Sequence, residues 1–360
     1  MNIIVTRSFP PSVGGMQNLM WGLARAISKC DLTKVFADYE PHHEKYDETV
    51  SFTIERIGGA KIFRKYRKAY LINEYLKDNK NVKNIISDHW KSLELIKTNR
   101  NKICLIHSKE INHDKDSRLN KRVLNVLNKV KYVIANSEYT KNLAIEKGVK
   151  PELLKVINPG VDPIEKTEKR YDEQANELLV NKSPRLITIS RLDKRKNHQK
   201  VIMAVRNLKQ IYPNLIYICV GYGEEEDKLK RLTRELMLEN QVLFLKDISQ
   251  ELKSALISKS DIFVMPSIIH KKSVEGFGIV FIEAAQHGVP SIGGKDGGAS
   301  DAIIHNETGL ICDGNNLDEI YNSIKNLLEN KKYKELGNSA KKNAEKFEWS
   351  NIIENYRRIL

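Results

Sequence analysis

The chain has 360 residues, of which 41% are hydrophobic and 29% charged, and it carries a formal net charge of +14. That length suits two domains, because single cores stop growing near about 250–300 residues, and no apolar run approaches the roughly 18 residues of a membrane span. A folded, water-soluble chain is expected, and a bilayer-spanning one is excluded. Cys30, Cys104, Cys219 and Cys312 lie far apart with no C-x-x-C pair, so they read as small buried apolar side chains in a reducing compartment, with neither a disulfide framework nor a zinc site.

The N-terminus, MNIIVTRSFPPSVGG, passes directly from a short apolar strand into a turn and lacks the features of a signal peptide, which predicts folding in the cytosol. A helix from Gln17 to Ser28 follows, then TKVFA, a basic helical stretch, NVKNIIS, NKICLIHS, KYVIANS with a helix through Ile145, and LLKVINPG. Short buried strands alternating with helices indicate a parallel sheet covered on both faces. Residues from Pro163 to Pro184 are polar and lack strand character, as a linker would. RLITISR, NLIYICVGYG, QVLFLKD, SDIFVMPS, VPSIGG and GLICDG then repeat the scheme. The expected fold class is α/β, with a first Rossmann-like domain over residues 1–165 and a second over 166–345. KFEWSNIIENYRRIL reads as a last helix, 346–360, with Ile352, Ile353, Tyr356 and Leu360 on one side.

Ligands of such sheets bind beyond the carboxyl ends of the strands, and the residues there are distinctive. After the first strand, Gly14 and Gly15 make a tight turn at a helix start, where bare backbone can touch a phosphate. Arg191 and Lys196 follow the strand ending at Ser190, and two cations can neutralise a diphosphate as charge develops on it. Gly221 and Gly223 lack the full dinucleotide fingerprint and read as a chain turn. Glu275 and Glu283 bracket EGFGIVFIE: a turn at Gly276–Ile279 that opens a helix leaves N–H groups free for an anion, and two helical turns would bring Glu283 to the same pocket. An ordinary helix start with a solvated Glu283 explains the same residues, and both readings stand at this point.

Charge is uneven. Residues 1–165 hold 29 Lys and Arg against 19 Asp and Glu. A basic first half suggests an anionic partner, with lipid surface, phosphorylated acceptor and nucleic acid as the choices. KIFRKYRKAYLINEY, Lys61 to Tyr75, combines five cations with Phe63, Tyr66, Tyr70 and Tyr75. One flank of that helix could rest on an anionic membrane, or the aromatic stripe could pack inward. No zinc spacing, RNP-like aromatics or other nucleic-acid module is present, so nucleic acid is not expected as a partner. Asp114, Lys115 and Asp116 form a D-x-D triplet that reads as a solvated loop, and no metal is expected.

Taken together, these segments resemble the retaining GT-B fold glycosyltransferases of family 4. FPPSVGGMQ is similar to that family's glycine-rich N-terminal loop, ANSEYTKNLAIEKGV and INPGVD to its segment before the linker, and ISRLDKRKN to its donor-phosphate motif. EGFGIVFIEAAQHGVPSIGGKDGGASDAI is similar to its E-x7-E motif, and the likeness runs from residue 3 to about residue 350. HSKE, His107 to Glu110, and FADYEPHHEKYDET resemble the branch that includes phosphatidylinositol mannosyltransferase B. Two departures stand out: Ser108, where that branch has glycine after the histidine, and Asn197, where the family often has glycine after the lysine.

The resemblance implies two Rossmann-like domains facing across a cleft, with the last helix packed back on the first domain, and it implies roles. Arg191 and Lys196 would hold the donor diphosphate, Glu283 the ribose, and Glu275 the sugar hydroxyls. The Phe277, Gly278, Ile279 and Val280 backbone would complete the donor site, with the base near Lys246 to Ile248 and Gly15 approaching the diphosphate. His107 would line the acceptor side near the anomeric carbon. The expected partners are a nucleoside diphosphate sugar, GDP- or UDP-linked, and a lipid or lipid-linked glycan acceptor at the cytosolic membrane face, with no cofactor. No acid pair is placed as nucleophile and acid/base, which favours same-face attack with retention. The alternatives are a nucleotide-sugar epimerase of the same fold and a non-catalytic nucleotide-sugar or nucleic-acid binding module.

Overall fold

The computed structural model describes residues 1–165 and 168–360. The chain divides into two compact units, Met1–Asp162 with Phe347–Leu360, and Pro163–Lys346. The predicted linker, 163–184, includes Lys166 and Thr167, which lie outside the described residues. Within the rest of it, the helix Lys169–Leu178 buries Ala175 in the second unit.

The first unit is a seven-stranded parallel sheet of β1 (Asn2–Val5), β2 (Thr33–Asp38), β3 (Thr53–Ile57), β4 (Asn84–Ser87), β5 (Asn101–Ile106), β6 (Tyr132–Ala135) and β7 (Leu154–Val156). Their order across the sheet is β3-β2-β1-β4-β5-β6-β7. Alternation along β1 explains the layering. Ile3 and Val5 join one core with Ile72 and Leu76 of the helix Arg64–Asp78, while Ile4 joins the opposite core with Leu19, Met20 and Leu23 of the helix Gly15–Ser28. The edge strand β3 escapes the search for apolar runs. Its sequence, TIERI, is half polar because only β2 flanks it.

The C-terminal helix Trp349–Arg357 buries Trp349, Ile352, Ile353 and Tyr356 in the core beneath Gly15–Ser28. Gly22 makes that possible, since a Cβ there would stand 2.0 Å from Trp349 Nε1. The returning chain also pairs with the end of the first stretch: Val161 N–H donates to Phe347 O at 2.8 Å, and Trp349 N–H donates to Val161 O at 3.1 Å.

In the second unit, β8 (Arg185–Ile189), β9 (Ile216–Val220), β10 (Val242–Leu245), β11 (Ile262–Met265), β12 (Ser291–Gly294) and β13 (Gly309–Cys312) form a parallel sheet. Its order is β10-β9-β8-β11-β12-β13. In both sheets the winding direction reverses once, between β1 and β4 and between β8 and β11. These are the crevices where an open α/β sheet binds ligands.

One expectation is corrected. Cys104, Cys219 and Cys312 are buried, but Cys30 is exposed, because it follows the last turn of Gly15–Ser28 and not a strand. Of the two readings of the Lys61–Tyr75 aromatics, the inward stripe does not hold for three of the four rings: Phe63, Tyr66 and Tyr70 are 54%, 57% and 64% exposed, and Tyr75 alone is half-buried. Of the five cations in that stretch, Lys68 points inward, where it pairs with Asp38 and donates to the Thr6 carbonyl.

Candidate active site

In the second unit, β8 ends at Ile189 and the chain turns through Ser190–Asp193 into a short 3-10 turn, Lys194–Lys196. Asp193 caps that turn, accepting the Lys196 N–H at 3.2 Å. Asn197 follows in the left-handed region at φ 64, a conformation Asn tolerates better than most side chains. Its amide donates to the Pro266 carbonyl at 3.0 Å and the Gly314 carbonyl at 2.7 Å. The departure from glycine is thus accommodated, and the asparagine ties this turn to the loop after β11. Behind it, a Cβ on Gly221 would stand 2.0 Å from the Ser190 carbonyl, so the glycine lets the loop after β9 support the Arg191 segment.

The turn aims two cations at one carboxylate. Lys196 Nζ lies 2.5 Å and Arg195 Nη1 2.7 Å from Glu275 Oε2, and all three residues are at most 9% exposed. Burial alone would push the Glu275 carboxyl up, but Lys196 and Arg195 overcome it and hold the group at about 2. Burial lowers the Lys196 ammonium, with Arg195 adding to the effect and Glu275 opposing it. Both directions follow from two cations sharing one counter-charge.

Glu275 itself sits in a loop, held by a parallel bridge to Gly297 and by the Gly298 N–H on its carbonyl at 2.8 Å. The helix opens only at Ile279 and runs to Gln286, so helical periodicity does not relate Glu275 to Glu283. Gly278 stands at its N-cap with φ 85, and no side chain caps the helix. A Cβ there would meet the Phe281 ring at 2.5 Å, so glycine alone leaves the Phe277–Val280 backbone in this form. Glu283, on the helix, accepts from Lys253 Nζ at 3.0 Å and is not solvated freely. Arg191 is exposed and tethered to Asp193 Oδ2 at 3.1 Å. Ile248 is half-buried in the loop after β10, next to Ser249, which caps the helix Gln250–Ser258.

The first unit gathers a second polar cluster at its own reversal point. Asp88, directly after β4, is buried; its Oδ2 accepts from Thr6 Oγ1 at 2.7 Å and from the Arg7 N–H at 2.9 Å, while Oδ1 is buried without a protein partner. His107 follows β5. Its ring donates to the Asp88 carbonyl, and Nε2 is buried and unpartnered, so Nδ1 carries the proton. Burial lowers the imidazole to about 4, which leaves a neutral ring with a lone pair on Nε2. The His107 N–H donates to Glu110 Oε1, and burial raises that carboxyl to about 7. Ser108 stands at φ 97, a left-handed geometry that favours glycine and strains a serine. Gly14 and Gly15 begin the helix after β1 with no side-chain cap. Asp114 and Asp116 lie in the irregular segment beyond β5, and among the described residues no group of three His, Cys, Asp or Glu could hold a metal ion.

Sequence reasoning brings out Lys196 and Glu275, which the fold joins directly. It overlooks Arg195, Asp88 and Thr6. The available signal was positional, since Asp88 and Thr6 immediately follow β4 and β1 and Arg195 adjoins Lys196.

Two parallel α/β sheets, each with polar groups collected where its strand order reverses, define the two-domain GT-B architecture. Residues 13–165 match the model of Glycosyltransferase Family 4, and residues 169–347 match that of Glycosyl transferases group 1. The chain belongs to this family of glycosyltransferases. A GDP-mannose-dependent alpha-(1-6)-phosphatidylinositol monomannoside mannosyltransferase of Mycobacterium tuberculosis is 31% identical over 183 residues, covering 49% of this chain and 46% of that relative, so this match spans about half the relative's length. The protein of the same description from Mycolicibacterium smegmatis is 25% identical over 348 residues, covering 91% of this chain and 88% of the relative. Among solved structures, HepE of Anabaena in complex with UDP-glucose superposes with a TM-score of 0.81 at 22% identity, covering 99% of this chain and 98% of that one.

Proposed function

We propose that the chain transfers a hexose, with retention of anomeric configuration and without a metal, from a GDP- or UDP-linked sugar to a hydroxyl of a lipid or lipid-linked glycan. The observation that carries this reading is the buried Arg195–Lys196–Glu275 cluster beside the uncapped helix start at Gly278. Cations and free N–H groups there suit a diphosphate, and an ionised carboxylate suits sugar hydroxyls. Arg191 and Lys196 hold the diphosphate and stabilise it as it leaves; Glu275 accepts from the sugar, and Glu283 from the ribose. In the first unit, neutral His107 keeps an Nε2 lone pair for a hydroxyl of the acceptor. The attacking hydroxyl passes its proton to the departing phosphate, on the face that phosphate vacates.

The acceptor's class draws support from the relatives named as phosphatidylinositol monomannoside mannosyltransferases. The surface agrees with a membrane-held substrate. Ile62, Phe63, Tyr66 and Tyr70 are exposed together with Lys61, and Arg64, Lys65 and Arg67 flank them. No helix among the described residues is long and apolar enough to cross a membrane. The exposed aromatics and their cations would let this flank rest on an anionic leaflet, in our reading at its cytosolic face.

Thermal-shift titration with GDP and UDP tests the donor, since a ligand at 100 times its Kd stabilises by about 2.7 kcal/mol. Product NMR tests the stereochemistry, and an inverted anomer would eliminate same-face attack. Co-sedimentation with phosphatidylserine vesicles at low salt tests the surface; Tyr66→Ser with Tyr70→Ser should abolish binding and leave the melting temperature unchanged.

A further inference from the structure

We propose that Arg195 is a positioning residue whose task is to keep Glu275 charged and oriented once Lys196 turns to the donor diphosphate. The proposal rests on the donor-site reading above and starts from a count of charges. Glu275 and a diphosphate are both anions, and each requires a cation when water is displaced. With Lys196 as its one cation, Glu275 would lose its counter-charge when that ammonium turns to join Arg191 on the diphosphate. The fold supplies a second cation on the same carboxylate oxygen: Arg195 Nη1 lies 2.7 Å from Glu275 Oε2, beside Lys196 Nζ at 2.5 Å.

Arg195 is built in on several sides. It is only 9% exposed, so it is not a surface cation within a basic run. Its carbonyl accepts the Ile268 N–H at 2.9 Å, which fixes it to the loop that leads from β11 towards Glu275. Asp193 Oδ2 stands 3.9 Å from its Nη2 and 3.1 Å from Arg191 Nη2, so a single carboxylate spaces the two guanidinium groups. The charged groups acting on Glu275 are Lys196 and Arg195; Asp193 acts on Lys196, and the Gly297–Gly298 side contributes backbone alone. Arg195 remains on Glu275 after donor binding because guanidinium does not deprotonate and its other anion, Asp193 at 3.9 Å, is held more closely by Arg191 at 3.1 Å.

The test is calorimetric binding of GDP and UDP at pH 6 in two buffers of different ionisation enthalpy, together with pH profiles of turnover. The wild-type chain should bind one of the two without net proton uptake. In Arg195→Met, binding should take up close to one proton as Glu275 protonates, and kcat should fall about tenfold per pH unit below the raised Glu275 pKa while recovering towards pH 8. Arg195→Lys should restore the wild-type profile. If Arg195→Met does not fold, Arg195→Gln carries the same test. A wild-type chain that binds neither nucleotide overturns the donor reading and this role with it. A variant that binds without proton uptake and keeps the wild-type pH profile overturns the role of Arg195 alone, as does a loss that Arg195→Lys fails to reverse.

Discussion

Replacing Lys196 by Met measures how strongly the buried carboxylate depends on its cations. The substitution leaves Glu275 with Arg195 alone, and removing one partner of a buried ion cluster costs about 3–5 kcal/mol. Because Arg195 Nη1 remains 2.7 Å from Oε2, the lower end applies, about 3 kcal/mol. For a unit of this size that corresponds to a melting temperature lower by roughly 6–12 °C. The loss should depend on pH with a definite sign. Glu275 titrates at about 2 in the folded chain, below its ordinary value of 4.5, so its contribution is complete above pH 4.5 and fades as pH falls towards 2. Far-UV circular dichroism under urea is the suitable assay. Trp21, Trp90 and Trp349 all belong to the first unit, so tryptophan fluorescence does not follow the second. Glu275→Gln should also destabilise, and the double variant should lose at least about 1 kcal/mol less than the sum of the two. Effects that add to within about 0.5 kcal/mol would refute the coupled cluster.

Three further outcomes are expected. His107→Ala should lower kcat on the order of 10²-fold, and since the imidazole titrates at about 4, the wild-type rate should show no histidine limb between pH 8 and about 5; an acid limb near 6.5 that disappears in His107→Gln would contradict the neutral ring. Gly22→Ala places a Cβ 2.0 Å from Trp349 Nε1 and should cost about 1–3 kcal/mol by overpacking, seen as a lower urea midpoint in tryptophan fluorescence. Turnover should be unchanged in excess EDTA, and strict dependence on added divalent cation would reverse the metal-independent reading.

Most strands are legible as apolar runs because parallel sheets bury both faces: NKICLI becomes β5, and SDIFVMPS contains β11. β3 is not legible in that way, since an edge strand presents polar residues to solvent. The site divides along a similar line. Residues such as Arg191 and Lys196 can be placed because they immediately follow a strand. Arg195 looks like one more cation in KRK, and only the loop after β11, folding over the turn through Asn197, makes it buried. Likewise, Glu275 and Glu283 read as one helical pair, yet the helix starts between them, and each acid takes a different basic partner. The Tyr66 and Tyr70 rings defeat a hydrophobicity argument because solvent exposure depends on which flank of Arg64–Asp78 meets the sheet, and Ile72 and Leu76 occupy that flank.

The return of Phe347–Leu360 to the first unit has a consequence for how the protein is made. On the ribosome, β1 to β7 emerge early, but the Trp349, Ile352, Ile353 and Tyr356 side chains that fill the core beneath Gly15–Ser28 are translated only after the whole second unit. At about 5–20 residues per second, the nascent first unit waits for many seconds with the Gly22 face of Gly15–Ser28 uncovered. The second unit, continuous from Pro163 to Lys346, can close first. The half of the chain made first is therefore the half completed last, and the waiting nascent chain, with that face still open, is the stage at which chaperone holding would matter most.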